Sequence, residues 1–259
     1  MLTEPKLADR ITDRVRWIAA RGIAAVVAGI LVLGVGGRLV MLASRLLHPD
    51  AVGRLTENGN RIGEFTIDGT IGLMIFGGLL GGLFAGVVWV VVYEWIPRHW
   101  ALVGAGSVAI GGLFLIEADN RDFRILDPPS IDVLLLLGLV FVFGAVIVRL
   151  DRWLDGRLPP ARSLRAIVVY VVLVGLGAPI VLPTFGGFLS KEFCFCETPP
   201  VWTGLFLLSA ALVSLTAWII DLQPQARRPD WLSTAGRLAS LGAITTAAIH
   251  LAGQVSAIL

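Results

Sequence analysis

The sequence predicts an all-α, polytopic membrane protein of about seven transmembrane helices, forming one integral membrane domain over residues 1–259. Three observations predict it. Hydrophobic residues make up 56% of the chain and mean hydropathy is +0.82, above the roughly half-apolar usage of soluble domains. Charged residues are only 15%, against about 25% in globular proteins. These charges gather in short blocks between apolar runs of about 20 residues, the length that crosses a hydrocarbon core.

Taken in order, the apolar runs place spans at about residues 20–46, 69–94, 101–117, 131–149, 166–188, 201–220 and 236–257. The N-terminal "MLTEPKLADRITDRVRW" mixes acids with bases, and the run after it is too long for a signal-peptide core, so it counts as the first span. Residues 3–16 could form a surface amphipathic helix or a frayed tail. In the second span Gly78, Gly82 and Gly86 are spaced four apart, a spacing that lets helix backbones approach closely. Tight internal packing, a homodimer seam and a cavity wall all fit it. Pro179 and Pro183 interrupt the fifth span, where the freed carbonyls need new partners. The seventh contains Thr245, Thr246, His250 and Gln254; its alternative is a re-entrant or interfacial helix.

Charge sets the orientation. With the N-terminus in the cytoplasm, 14 of the 21 Lys and Arg residues fall in cytoplasmic segments, six in outer connectors, and Arg38 inside the first span. Basic bias in short loops orients membrane proteins, so the N-terminus is expected inside and the C-terminus outside a bacterial plasma membrane. The net charge of +2 averages a basic inner face and an acidic outer one and implies no nucleic-acid partner. The expected partners are the lipid bilayer and either further copies of the chain or another membrane subunit. Most of the eight tryptophans lie near span ends, as an aromatic belt would.

Three outer connectors end alike: "FTIDGTIG", "RILDPPSID" and "CETPPVW". In each, Asp68, Asp127 or Glu197 precedes a descending helix and is expected to cap it, because an acid there meets unpaired N–H groups and the positive end of the helix dipole. The charge-rich stretch "EADNRDFRILDPPSID" thus lies on the outer rim, where its charges are solvated.

Arg38 lies 17 residues beyond Arg21, about 26 Å along a helix at 1.5 Å per residue, near the outer edge of the hydrocarbon. It can snorkel outward or pair with Glu64, Asp68, Asp119, Asp122 or Asp127. With Arg124 and His250 these form the candidate ligand-binding set; His250 is 13 residues past Arg237, about 20 Å into the outer half. An intramembrane histidine is a candidate functional group, and a histidine held by neighbouring hydroxyls is the plainer alternative. The only cysteines, Cys194 and Cys196, form "CFC" in an outer connector. A disulfide between residues two apart is strained. A soft-metal pair such as a Cu(I) site, with His48 and His250 on the same side, competes with two interface-anchored apolar side chains.

No P-loop, zincin helix, nucleophile elbow or dinucleotide fingerprint occurs. No second intramembrane histidine completes a bis-histidine haem, and no cofactor is expected. At "GGRLVM", "GEFTIDGTI" and "DNRDFRILDPPSI" the chain resembles a group of polytopic membrane proteins from Actinobacteria and Chloroflexota, over about its first 150 residues. The group has no assigned activity, so the resemblance implies a membrane fold and nothing about chemistry.

Three functional classes remain. The first is a protein that binds or transports a small solute or ion at an outward-facing site built by Arg38 and the outer acids. The second is a non-catalytic accessory or scaffold subunit. The third is a membrane-embedded enzyme acting on a lipid or isoprenoid, with Asp122 or Glu64 as general acid; the missing catalytic motifs lean against it.

Overall fold

The computed structural model describes residues 7–57, 59–194, 198–223 and 226–259. Among them the chain is all-helical: α1 (Leu7–Leu47), α2 (Ile67–Val92), α3 (Trp100–Gly112), α4 (Arg121–Ile125), α5 (Pro129–Asp155), α6 (Leu164–Leu189), α7 (Lys191–Cys194), α8 (Val201–Leu222) and α9 (Asp230–Ile258). Six of these, α1, α2, α5, α6, α8 and α9, are long and apolar enough to cross a membrane. The protein thus has the make-up of a multi-pass membrane protein.

Two elements differ from the sequence expectation. The predicted third span is only a 13-residue helix, α3, about 20 Å long, and the apolar residues after it leave the helix in a turn. Ile116 in that turn is fully buried, so its hydrophobicity reflects packing rather than a longer span. The N-terminal segment is neither a separate surface helix nor a tail from Leu7 onward; it runs without a break into the first span, giving 41 residues of continuous helix. The predicted seventh span is a continuous 29-residue helix.

Helix contacts close a ring in the order α1, α2, α8, α9, α3, α5 and back to α1. All six contribute to one core, including Ala25 and Ala28 of α1, Trp89 of α2, Val103 of α3, Phe143 and Ile147 of α5, Leu207 of α8 and Ala243 of α9. Helix α6 leans on this ring from outside, against α1 with its first half and against α2 and α8 with its second. It exposes Leu164, Val168, Leu176 and Leu182, the last at 80%, an apolar surface suited to lipid. At Pro179 the helix tightens into a 3₁₀ turn, Ala178–Ile180, and Ala178 N–H donates to the Gly175 carbonyl that the proline leaves free.

The glycine spacing of α2 serves internal packing. Gly29–Gly36 of α1 and Met74–Leu80 of α2 are both π-helical and lie against each other. A Cβ added at Gly29 would sit 2.2 Å from the Gly78 carbonyl oxygen, and one at Gly82 would sit 2.8 Å from that of Ala25. Backbone meets backbone along this seam, which only glycine allows.

The two ends of the bundle differ in chemistry. One, here the basic rim, carries the N-terminal turns of α1, the C-terminal ends of α2, α5 and α8, and the first turns of α6 and α9. The other, the acidic rim, carries residues 48–57, 59–66 and 113–128 and the C-terminal end of α9.

Candidate functional site

The early end of α3 shapes the acidic rim, because two cavities lie against the chain that follows it. The larger, about 330 Å³, is bounded by the end of α1, Thr56 and residues 60–69, α4 and the first turns of α5, with Leu115 on one wall. The smaller, about 190 Å³, lies between residues 113–119, the start of α8 and the end of α9.

In the larger cavity Arg38, Glu64 and Asp122 of the expected set come together. Arg38 forms no ion pair with any carboxylate among the described residues. Its Nη1 lies 3.7 Å from Met41 Sδ, its guanidinium carbon lies 5.6 Å from the Phe65 ring centroid, and its buried Nε has no hydrogen-bond partner. Gly69 makes room for it: a Cβ there would stand 2.9 Å from Arg38 Nη2. Of the two alternatives for Arg38, snorkelling or pairing with an outer acid, the pairing does not occur among the described residues.

The loop beside it is built by backbone pairing, with Gly53 N–H donating to Ile62 C=O and Ile62 N–H to Arg54 C=O, both at 2.9 Å. Arg45 Nη1 donates to the Gly63 carbonyl at 2.8 Å, where φ of +86° requires a residue without a side chain. The charged stretch "EADNRDFR" docks onto this loop. Asp122 Oδ1 accepts from Glu57 N–H at 2.8 Å, Glu57 Oε2 accepts from Arg121 N–H at 3.0 Å, and Asn120 caps α4 through Asp122 N–H at 2.8 Å.

Sequence reasoning missed the most buried part of this rim. Asp132, in the first turn of α5, lines the cavity at 4% exposure, and its Oδ2 lies 2.7 Å from Nε2 of His48, also 4% exposed. At that distance the two side chains pair, although neither atom makes an aligned hydrogen bond. His48 Nδ1 lies 3.2 Å from the Asp127 carbonyl oxygen. Residues 84 positions apart in sequence carry no local signal of such a pair.

The remaining candidates are dispersed. Asp119 and His250 line the smaller cavity with Glu117 and Gln254. There Gln254 Oε1 accepts from Ala118 N–H at 2.8 Å, and Gln254 Nε2 lies 3.5 Å from His250 Nε2. Burial pushes the Glu117 carboxyl above its ordinary range, with Asp119 and Glu57 adding to the rise. Asp68 and Arg124 are exposed and line neither cavity. The N-cap of α2 is Thr66, whose hydroxyl accepts from Gly69 N–H at 3.0 Å, and Asp68 sits in the first turn behind it. Asp127 offers its carbonyl to His48 rather than a side-chain cap to α5. Cys196, Glu197 and the side chain of Cys194 lie outside the described residues, and no group of three metal-ligating side chains occurs among the described ones.

The basic rim contrasts with all of this. Arg21, 2% exposed, donates from Nη1 and Nη2 to both carboxylate oxygens of Asp155 at 2.7 and 2.8 Å and to Tyr93 Oη at 2.6 Å; Asp151 Oδ1 lies 3.3 Å from its Nε. Its guanidinium also lies over the rings of Trp17 and Tyr93. Nearby, Arg14 and Arg228 each pair with both Glu94 and Asp221, which holds the Arg228 guanidinium more firmly protonated than usual. Arg16 donates to the carbonyls of Asp155, Leu158 and Pro159, the free C-terminal carbonyls of α5 and the turn after it. The spacing of Asp151 and Asp155 by one helical turn, at the end of α5 nearest Arg21, was the available sequence signal for the first cluster.

Compared with family models, with curated proteins and with solved structures, the chain matches none of them.

Proposed function

We propose that this is a multi-pass protein of a bacterial plasma membrane that binds a small solute in the Arg38 cavity, which opens on the non-cytoplasmic face. In this reading helix α3 is a seventh, short crossing, and the basic bias of the N-terminal rim supports a cytoplasmic side for that rim. One observation carries the binding function: Arg38 borders a cavity of about 330 Å³ without an ion pair, although Arg14, Arg21 and Arg228 at the opposite rim are paired. A half-buried guanidinium with a free Nε is a ready partner for a carboxylate or phosphate, and the cavity falls in the lower range of small-ligand sites.

Native mass spectrometry of the protein released gently from its own membrane tests this. A stoichiometric small solute is expected on the wild type and absent from Arg38→Ala, with the thermal unfolding midpoint little changed. A wild-type chain that carries no solute, or one found only with another polypeptide, overturns binding and leaves the accessory-subunit function in its place.

A further inference from the structure

We infer that the ligand of the Arg38 cavity is a small zwitterion, a molecule in which a primary ammonium lies a few bonds from a carboxylate or a phosphate. This rests on the binding function proposed above and narrows it to a chemical class.

The cavity presents both signs of charge at once. Arg38 and Arg61 line it together with Glu64, Asp122 and Asp132, yet no arginine in this group forms an ion pair with any of the three acids. At the basic rim, by contrast, Arg14, Arg21 and Arg228 pair directly with the carboxylates of Glu94, Asp221 and Asp155. A simple anion entering here would meet three carboxylates; a simple cation would meet two guanidinium groups. A zwitterion satisfies both, with its anionic end on Arg38 and its ammonium toward the acids.

Hydrogen-bonding capacity points the same way. Asp132 is 4% exposed; its Oδ2 lies 2.7 Å from His48 Nε2 without an aligned hydrogen bond, so this buried carboxylate has no aligned donor on that oxygen, whereas native interiors rarely leave such capacity unused. An ammonium brings three donors to such an oxygen and to the neighbouring carboxylates. On the other side, Arg38 Nε is a buried donor with no acceptor, and a guanidinium offers its donors as a fork that fits a carboxylate or phosphate. Size limits the ligand as well. A volume of about 330 Å³ holds on the order of ten waters at ~30 Å³ each, and Leu126 and Leu136 close the apolar side of the space. That suits an amino acid or an ethanolamine phosphate, either as a free solute or as the headgroup of a lipid.

The full-length chain in phosphatidylglycerol nanodiscs tests this by calorimetric titration with glycine and O-phosphoethanolamine, using inorganic phosphate and ethylamine as single-charge controls. At least one zwitterion is expected to bind about tenfold or more tighter than either control, since each control gives up one of two charge-assisted contacts. Arg38→Ala and Asp132→Asn should each abolish that preference. Because Asp132→Asn also alters the contact with His48, the exposed Glu64→Gln serves as the fold-neutral variant, expected to weaken the zwitterion several-fold and to leave phosphate unchanged. Nanodiscs containing phosphatidylethanolamine that block the soluble zwitterion would identify a lipid headgroup; unblocked binding would identify a free solute. Phosphate or ethylamine binding as tightly as the zwitterions overturns the zwitterion and leaves a simple ion site. If none of the four probes binds but native mass spectrometry still finds an Arg38-dependent solute, the zwitterion falls and the binding function stands. A bare chain in that experiment removes both.

Discussion

Arg21 and Arg38 lie on the same continuous helix, 17 residues apart, and have opposite surroundings. Arg21 grips both oxygens of Asp155, lies beside Asp151 and hydrogen-bonds Tyr93 between two aromatic faces. Arg38 has a methionine sulfur, a phenylalanine ring and a cavity. One charge is consumed in joining α1, α2 and α5; the other is held in place with its binding capacity open. Pairing, rather than charge density, therefore separates a structural rim from a candidate site.

The largest test of this contrast replaces each arginine by methionine, which keeps much of the volume and removes the charge. Arg21→Met strands the Asp151 carboxylate, 1% exposed, and removing one partner of a buried pair typically costs about 3–5 kcal/mol. Arg38→Met breaks no ion pair and should change stability by less than ~1 kcal/mol, while abolishing the solute signal. Thermal unfolding of the two variants in the same nanodisc measures the difference. Equal losses would erase the distinction between the rims.

A middle-sized effect sharpens the description of the acidic rim. Thr66 holds the first turn of α2 by accepting from Gly69 N–H, beside the guanidinium of Arg38. Thr66→Ala should cost about 1 kcal/mol, the usual loss for an N-cap, and should raise amide exchange at Gly69 and Thr70. Asp68→Ala should cost only a few tenths of that, because a first-turn acid acts through the dipole alone. If Asp68→Ala proved the more damaging of the two, the cap would belong to the aspartate after all.

These residues show how much the sequence alone could reveal. The apolar runs for α1, α2, α5, α6, α8 and α9 were legible because lipid demands length, and length is visible in one dimension. The third run misled: "ALVGAGSVAIGGLFLIE" is apolar through Ile116, but the helix ends at Gly112 and the remaining apolar residues pack in a turn. Apolar composition cannot separate lipid exposure from protein burial. Arg38, Glu64 and Asp122, which line the larger cavity, stood out in the sequence because charge next to a span is conspicuous. That Arg38 stays unpaired was not legible, since it depends on how residues 48–66 fold back and on Gly69 giving the guanidinium room. Nor was the His48 and Asp132 contact, made between the loop after α1 and the first turn of α5, whose meeting no periodicity encodes.

The smallest effect bears on whether the acids of the second cavity are unpaired. Glu117 borders the second cavity with Asp119 and His250, and burial, then the nearby Asp119 and Glu57, raise its pKa above the ordinary 4.5. The native chain therefore binds this proton more readily than the unfolded chain does. Linkage then makes the contribution of Glu117 to stability fall as pH rises from about 4.5 through the higher native value. Glu117→Gln, which cannot ionise, should flatten that part of the profile and leave the variant slightly more stable than the wild type near pH 7. Unfolding midpoints of both chains between pH 4.5 and 7 provide the measurement. A variant less stable than the wild type at pH 7 would mean that the Glu117 carboxylate has found a cationic partner, with His250 the first candidate. The acidic rim would then hold a second pair beside that of His48 and Asp132, and the unpaired state would shrink to Arg38 and the acids of its cavity other than Asp132.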